Sequence, residues 1–365
     1  MGIYKKLNIV FISFITIPLL IVGTLSFFKA REFLQKSQMA KLDAIVELSR
    51  DRIESFFKER LGDIIIAQND FLIKTNFPMI IHRGGDRTNP VYIKAKDALD
   101  KRLEHIRQIY GYDDIILIDA KGGIRYSIKH PEIYIGRRLH DPEGVAFEKG
   151  KNEIYLSNVF SDPYETGRYI TVMTAPVHDR KGRFTGVIVF QVDMKPIYDF
   201  IGKHTGMGET GETLIVSRSD KGEIVFLNPL RHAPDAVLNK TMSFGEGIAI
   251  PAQEAAEGRS GTGISVDYRG KEVVAAWRHI PSLNWGVVAK IDTEEAFKPA
   301  KTLAWITAII SVIVVFLAGL AATLTARHIS NPINNLHKGT EIIGSGNLDY
   351  KIGTDKKDEI GQLSR

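Results

Sequence analysis

The chain has 365 residues, a formal charge of +5, 25% charged and 44% hydrophobic residues, and no cysteine. That length allows two or three domains. The missing cysteine excludes a disulfide framework, a thiolate metal site and a cysteine nucleophile, and the lack of a long basic block argues against a nucleic-acid partner.

Residues 1–6 are a short polar start with Lys5 and Lys6. Residues 7–28 are apolar and long enough to cross a roughly 30 Å hydrocarbon layer as a helix. Phe27, Phe28 and Lys29 follow, rather than the small residues of a signal-peptide cleavage site, so an uncleaved anchor is expected. The two lysines place the N-terminus on the cytoplasmic side.

Over residues 30–69, Leu42, Ile45, Val46, Ile53, Phe56, Phe57, Leu61 and Ile64 recur at three- and four-residue steps. This predicts an amphipathic helix of ~60 Å, a stalk continuous with the anchor. Residues 78–90 are expected to be a loop, and 91–110 a second helix on the face of Leu99, Leu103 and Ile106.

The period then shortens to that of strands. Residues 114–119 and 124–128 form a hairpin around Lys121, Gly122 and Gly123, and 153–159, 169–176 and 186–194 add three strands. A five-stranded antiparallel sheet is predicted. Strands at 213–217 and 223–228, a helix at 248–257, and strands at 263–268, 271–278 and 285–291 repeat that order. Two successive units share one plan, an internal repeat.

Residues 303–325 hold no charge, are again of span length, and are followed by Arg327 and His328 as a cytoplasmic flank. Both termini are then inside, and the region between the spans outside. Pro332 suits the first turn of a helix, and Gly344 and Gly346 suit its end. Ile329, Leu336 and Ile343 keep a seven-residue spacing with Thr340 alongside, while Leu348 and Ile352 are the apolar points of the connector. Asp358 and Glu359 open another helix. One chain supplies half of a parallel bundle, so a homodimer is expected to bury the seam.

Gly206, Gly208 and Gly211 fit G-x-G-x-x-G, but that fingerprint must follow a strand and open a helix, whereas here it precedes a strand. His130, His140, His178, His204, His232 and His279 never fall at metal-ligand spacing. No metal, cofactor or catalytic constellation is predicted, although an anchored extracytoplasmic enzyme is a competing class. The first sheet unit concentrates aromatics, arginines and acids. A small polar ligand needs an apolar wall with a few placed polar groups. The predicted lining is Tyr126, Arg137, Arg138, Tyr155, Phe160, Asp162, Tyr169, Thr171, Met173, Gln191 and Asp193. Gln191, on a buried strand, must find a partner, and a ligand can supply it.

Residues 326–365, with NPINNL, GNLDYKI and DEIGQL in order after a span, resemble the HAMP linker of bacterial transmembrane receptors. Residues 30–295 resemble a double Cache sensor, on DIILIDAKGG, YITVMTAPVHDRKGRFTGVIVFQVDM, GMGETGETLIV and YRGKEVVAAWRHIPSLNWGVVAKID. The resemblance implies an α+β fold with a stalk helix (30–75), a membrane-distal PAS-like unit (76–200) and a membrane-proximal one (201–295). These lie between two transmembrane helices and ahead of HAMP.

It further implies a plasma-membrane receptor that binds a small molecule in the distal unit. Pro332, Leu336, Thr340, Ile343, Leu348, Ile352 and Glu359 would then relay the signal to an output domain. A histidine kinase is the expected output, with a chemoreceptor hairpin or diguanylate cyclase as alternatives. Amino-acid-binding members carry a late-strand Asp. Gln191 takes that place here, with Asp193 two positions on, which points to a small organic acid rather than an amino acid. A sensor of a partner protein or of the membrane itself is the competing non-enzymatic class.

Overall fold

A computed structural model describes residues 3–83 and 86–347. Residues 39–295 form one compact unit, and the described residues of 1–38 and 296–365 form another.

Helix α1 (Ile3–Gln68) is unbroken, with Pro18 inside it. Leu42, Val46, Ile53, Phe57 and Ile64 are buried along it, the stripe that three- and four-residue spacing produces. Asp70 then accepts a hydrogen bond from the Leu72 amide at 2.8 Å and starts α2 (Phe71–Arg83). Here the expected loop at 78–90 is overturned over residues 78–83, because α2 continues through Pro78, while residues 86–89 are non-helical as expected. Ile73, Phe77 and Ile80 are fully buried at helical spacing, which outweighs the one hydrogen bond that proline removes. Helix α3 (Pro90–Tyr110) matches expectation, capped by the Asn89 side chain at one end and by left-handed Gly111 at the other.

The first sheet, labelled distal and the second proximal after the sequence expectation, comprises β1 (Asp114–Asp119) and β2 (Ile124–Ser127), then two short helices, α4 (Pro131–Tyr134) and α5 (Ala146–Gly150). Next come β3 (Tyr155–Leu156), β4 (Phe160–Ser161), β5 (Tyr169–His178) and β6 (Phe184–Asp193). The order is β2-β1-β6-β5-β3, with β4 also on β5. There are six strands rather than five because the predicted strand at 153–159 pairs only through β3, and the chain pairs again as β4. One face of the sheet, including Leu117, Met173 and Phe190, packs with Ile64, Phe77 and Leu99 of the helices. The other, including Ile116, Val172 and Val189, is covered by Tyr134, Ala146 and Phe160.

Helix α6 (Lys195–Ile201) leads to the proximal sheet: β7 (Glu212–Arg218), β8 (Glu223–Phe226), β9 (Thr241–Ser243), helix α7 (Ile250–Ala256), β10 (Gly261–Val266), β11 (Glu272–Ile280) and β12 (Trp285–Asp292). Its order, β10-β11-β12-β7-β8-β9, repeats the distal β5-β6-β1-β2 path as β11-β12-β7-β8. The predicted repeat is therefore present in the pairing, with β9 added. Ala252 and Ala255 of α7 pack on Leu214, Ala275 and Val288. On the opposite face, Phe57 of α1 meets Trp285 edge-on at 5.3 Å, and Arg278 binds Glu47 at 2.9 Å and Asp43.

Short α8 (Thr293–Ala296) precedes α9 (Lys298–Gly344). Gly344 ends α9 as expected, but no helix starts at Pro332; α9 runs through it. Leu336, Thr340 and Ile343 lie on α9, while Leu348, Ile352 and Glu359 lie outside the described residues. Both α1 and α9 contain stretches long and apolar enough to cross a membrane.

Candidate functional site

Cross-strand register decides which side chains can meet. Gln191 stands opposite Asp114 on β1 and Val172 on β5, and Asp193 stands opposite Ile170. Directly opposed residues share a face, so Asp114, Ile170, Val172, Gln191 and Asp193 point toward α4 and the loop 157–168.

Gln191 is 2% exposed. Its carbonyl accepts from the Tyr134 hydroxyl at 3.4 Å, and its amide donates to Asp162 Oδ2 at 3.4 Å. Both contacts are long for hydrogen bonds, so these three buried groups are only loosely satisfied by one another. Burial and the nearby Asp162 charge hold the Tyr134 phenol above its usual range, which keeps it a donor. Asp162 is placed by its own turn: Oδ1 accepts from the amides of Tyr164 at 2.8 Å and Glu165 at 3.3 Å, leaving Oδ2 for the site. Tyr164 packs edge-on against Tyr134 at 5.0 Å, and the Arg137 guanidinium lies over Tyr164 at 5.9 Å. The two rings and Arg137 form the outer wall.

Beside this lies a charged cluster. Arg168 binds Asp113, Glu165 at 2.8 Å and Asp193 at 3.3 Å, and stands 4.0 Å from Asp162. Burial works against its charge, but these carboxylates outweigh burial and raise its pKa. Lys129 binds Asp113 at 2.6 Å and Glu165 at 3.0 Å. The four acids Asp113, Asp162, Glu165 and Asp193 thus face the two cations Arg168 and Lys129. Asp114 is fully buried, and desolvation raises its pKa despite hydrogen bonds from Ser127 and three backbone amides.

Of the predicted lining, Phe160, Asp162, Gln191 and Asp193 come together here, with Arg137 at the rim. Tyr126 and Met173 do not: they lie in the core against the helices, where the Tyr126 hydroxyl binds Asp100 at 2.9 Å. Tyr169 and Thr171 alternate onto that same face. Thr171 is committed to the carbonyl of Ser157 at 2.8 Å, and the Tyr169 ring meets Tyr198. Tyr155 binds Glu143 at 3.0 Å, and Arg138 is exposed. Tyr134, Arg168, Asp113 and Lys129 were absent from the predicted lining. Their only sequence signal is position: Asp113, Lys129 and Arg168 adjoin the ends of β1, β2 and β5, and Tyr134 ends α4. Clefts of about 470 Å³ and 510 Å³ lie elsewhere, the first beside Asp119, Arg125 and Arg183, the second between Phe57, Leu156 and Leu283.

The Cache domain model matches residues 30–300 and the HAMP domain model residues 324–365. The methyl-accepting chemotaxis protein McpC of Bacillus subtilis is 21% identical over 380 aligned positions, covering 99% of this chain and 51% of that protein. Transducer protein CosT of Halobacterium salinarum is 26% identical over 213 residues, 56% of this chain and 25% of that one. The chain spans about half or less of the length of the curated relatives it matches. The periplasmic sensory domain of the Campylobacter jejuni chemoreceptor Tlp1 shares the fold, with a TM-score of 0.50 at 17% identity over 73% of this chain and 99% of that one. The chain therefore belongs to the Cache domain family, in the Cache–HAMP arrangement of transmembrane receptors.

Proposed function

We propose that the chain is the sensing and transmitting part of a chemoreceptor whose distal Cache unit binds a small metabolite carrying an ammonium or similar cationic donor group. The observation that carries this is the loosely satisfied Tyr134–Gln191–Asp162 trio inside an acid-rich frame. A cationic group between Asp162 and the Gln191 carbonyl would replace contacts of 3.4 Å with charge-assisted hydrogen bonds. The organic acid of the sequence reading fares worse. The cation deepest in the frame, Arg168, is already held by Asp113, Glu165 and Asp193. The carboxylate that a late-strand Asp would supply is instead offered by Asp162, from a different strand connection. An acidic function elsewhere on the same ligand could still meet Arg137 at the rim.

In this reading residues 7–28 and 303–325 span the plasma membrane. Both termini are cytoplasmic, and the two Cache units, 76–200 and 201–295, lie outside on the stalk helix. A homodimer aligns two stalks and two HAMP segments. Ligand binding biases two arrangements of stalk and second span, and a coupling of ~1–3 kcal/mol is sufficient. Pro332, Leu336, Thr340 and Ile343 carry the change inward, with Leu348, Ile352 and Glu359 beyond. The curated relatives are transducers and chemoreceptors, which favours a chemoreceptor signalling hairpin over the histidine kinase of the sequence reading. A thermal-shift screen against small amines, amino acids and organic acids tests the ligand class.

A further inference from the structure

The two sheets correspond not only in strand order but in the residues that their registers place opposite one another. In the distal unit the pairs are Asp114 with Gln191 and Ile170 with Asp193. In the proximal unit the matching pairs are Glu212 with Lys290 and Val273 with Asp292. The connection before β5 carries Asp162 and Arg168, and the connection before β11 carries Asp267 and Arg269. Arg168 contacts Asp162 and Asp193; Arg269 contacts Asp267 at 2.6 Å and also Asp292. The acids and the arginine are thus repeated. The position between them differs: neutral Gln191 in one unit, Lys290 in the other.

Lys290 is 1% exposed. Its ammonium binds Glu212 at 2.8 Å and Asp267 at 2.7 Å. Tyr268 donates to Glu212 at 2.8 Å, with its ring 5.0 Å from the ammonium. Burying an ammonium and two carboxylates is costly, and an apolar residue would fill a plain core position at less expense. The space left beside Asp267, Tyr268 and Lys290 is only about 10 Å³.

We propose that Lys290 is a tethered ligand: its ammonium fills, in the proximal unit, the place where the distal unit takes the cationic group of an external molecule. The proximal unit is thereby held in its occupied arrangement, and the residue at this position, Gln191 or Lys290, decides whether a unit senses. The comparison with the distal unit rests on the ligand class proposed above. The claim about the proximal unit is separate: removing the tether should leave a latent site for a small primary ammonium between Glu212, Asp267 and Tyr268.

The test uses the whole chain in detergent, followed by tryptophan emission, because Trp277 and Trp285 both lie in the proximal sheet. Lys290→Ala is expected to lower the melting temperature. About half of the loss should return at ~100 mM methylammonium chloride, with no comparable gain from equal sodium chloride or in the wild type. Should Lys290→Ala not fold, Lys290→Gln, which reproduces the distal residue, replaces it, and recovery of native emission on adding the amine becomes the readout. Recovery equal in sodium chloride, or none in either variant, overturns the proposal. That failure leaves the distal reading standing, since the distal reading fails separately, by absence of ligand binding at Asp162.

Discussion

Gln191 and Lys290 hold the same register position in two sheets of one chain, each opposite a buried carboxylate on the neighbouring strand. One is a neutral amide between Tyr134 and Asp162; the other is an ammonium closed over by Glu212, Asp267 and Tyr268. The Gln191→Lys substitution should therefore convert the distal unit to the proximal pattern. Binding of any amine ligand should be lost. A charge-assisted contact to Asp162 adds about 1.5–3 kcal/mol, so the melting temperature should stay level or rise. A fall in stability with ligand binding intact would contradict the equivalence.

Arg168 holds three carboxylates and is 16% exposed. Arg168→Met leaves Asp113, Glu165 and Asp193 without it. The cost should be about 2–3 kcal/mol, below the ~3–5 of a fully buried pair, because the site is partly solvated. Urea denaturation of the sensory region measures it. Arg168→Lys should recover only part, since a lysine cannot fork between acids.

Acid should act on the proximal frame in a defined direction. Burial pushes the Asp267 carboxyl up, but Lys290 and Arg269 outweigh burial and hold it below its ordinary value of 3.8. A depressed carboxylate stabilises fully above its unfolded value and ceases to do so as pH falls through the lower folded value. Melting temperature should thus drop steeply below about pH 4, and Lys290→Ala should flatten that limb. An unchanged acid limb in the variant would count against the pairing.

The absence of cysteine makes topology simple to test. Lys221 and Lys338 are both exposed. In intact cells Lys221→Cys should react with a membrane-impermeant maleimide, and Lys338→Cys only after permeabilisation. Labelling of both from outside would remove the proposed orientation.

The elements legible in the sequence were those with a clear period: the stripe of α1, the apolar face of helix α3, and the buried strands β5, β6, β11 and β12. Pro78 and Pro332 misled because proline is a local signal, whereas Phe77 and Ile80 are held by distant core contacts. Strand alternation separated Met173 from Val172, but grouping the site by composition mixed both faces. It placed Tyr126 and Met173 with Asp162 and Gln191. The ion pairs that join Asp113, Arg168 and Asp193 across three strand ends are invisible in a linear reading. Lys290, in the run Trp285–Asp292, gave no local sign of its partners Glu212 and Asp267.

Ligand recognition by Asp162 is tested by calorimetric titration of the sensory region, wild type and Asp162→Asn, with the strongest amine hit from a thermal-shift screen. Wild-type protein should bind, and the variant should lose about 10- to 100-fold in affinity, the worth of a charged hydrogen bond of ~1.5–3 kcal/mol. Equal affinity in the two proteins, or binding of organic acids alone, would contradict it.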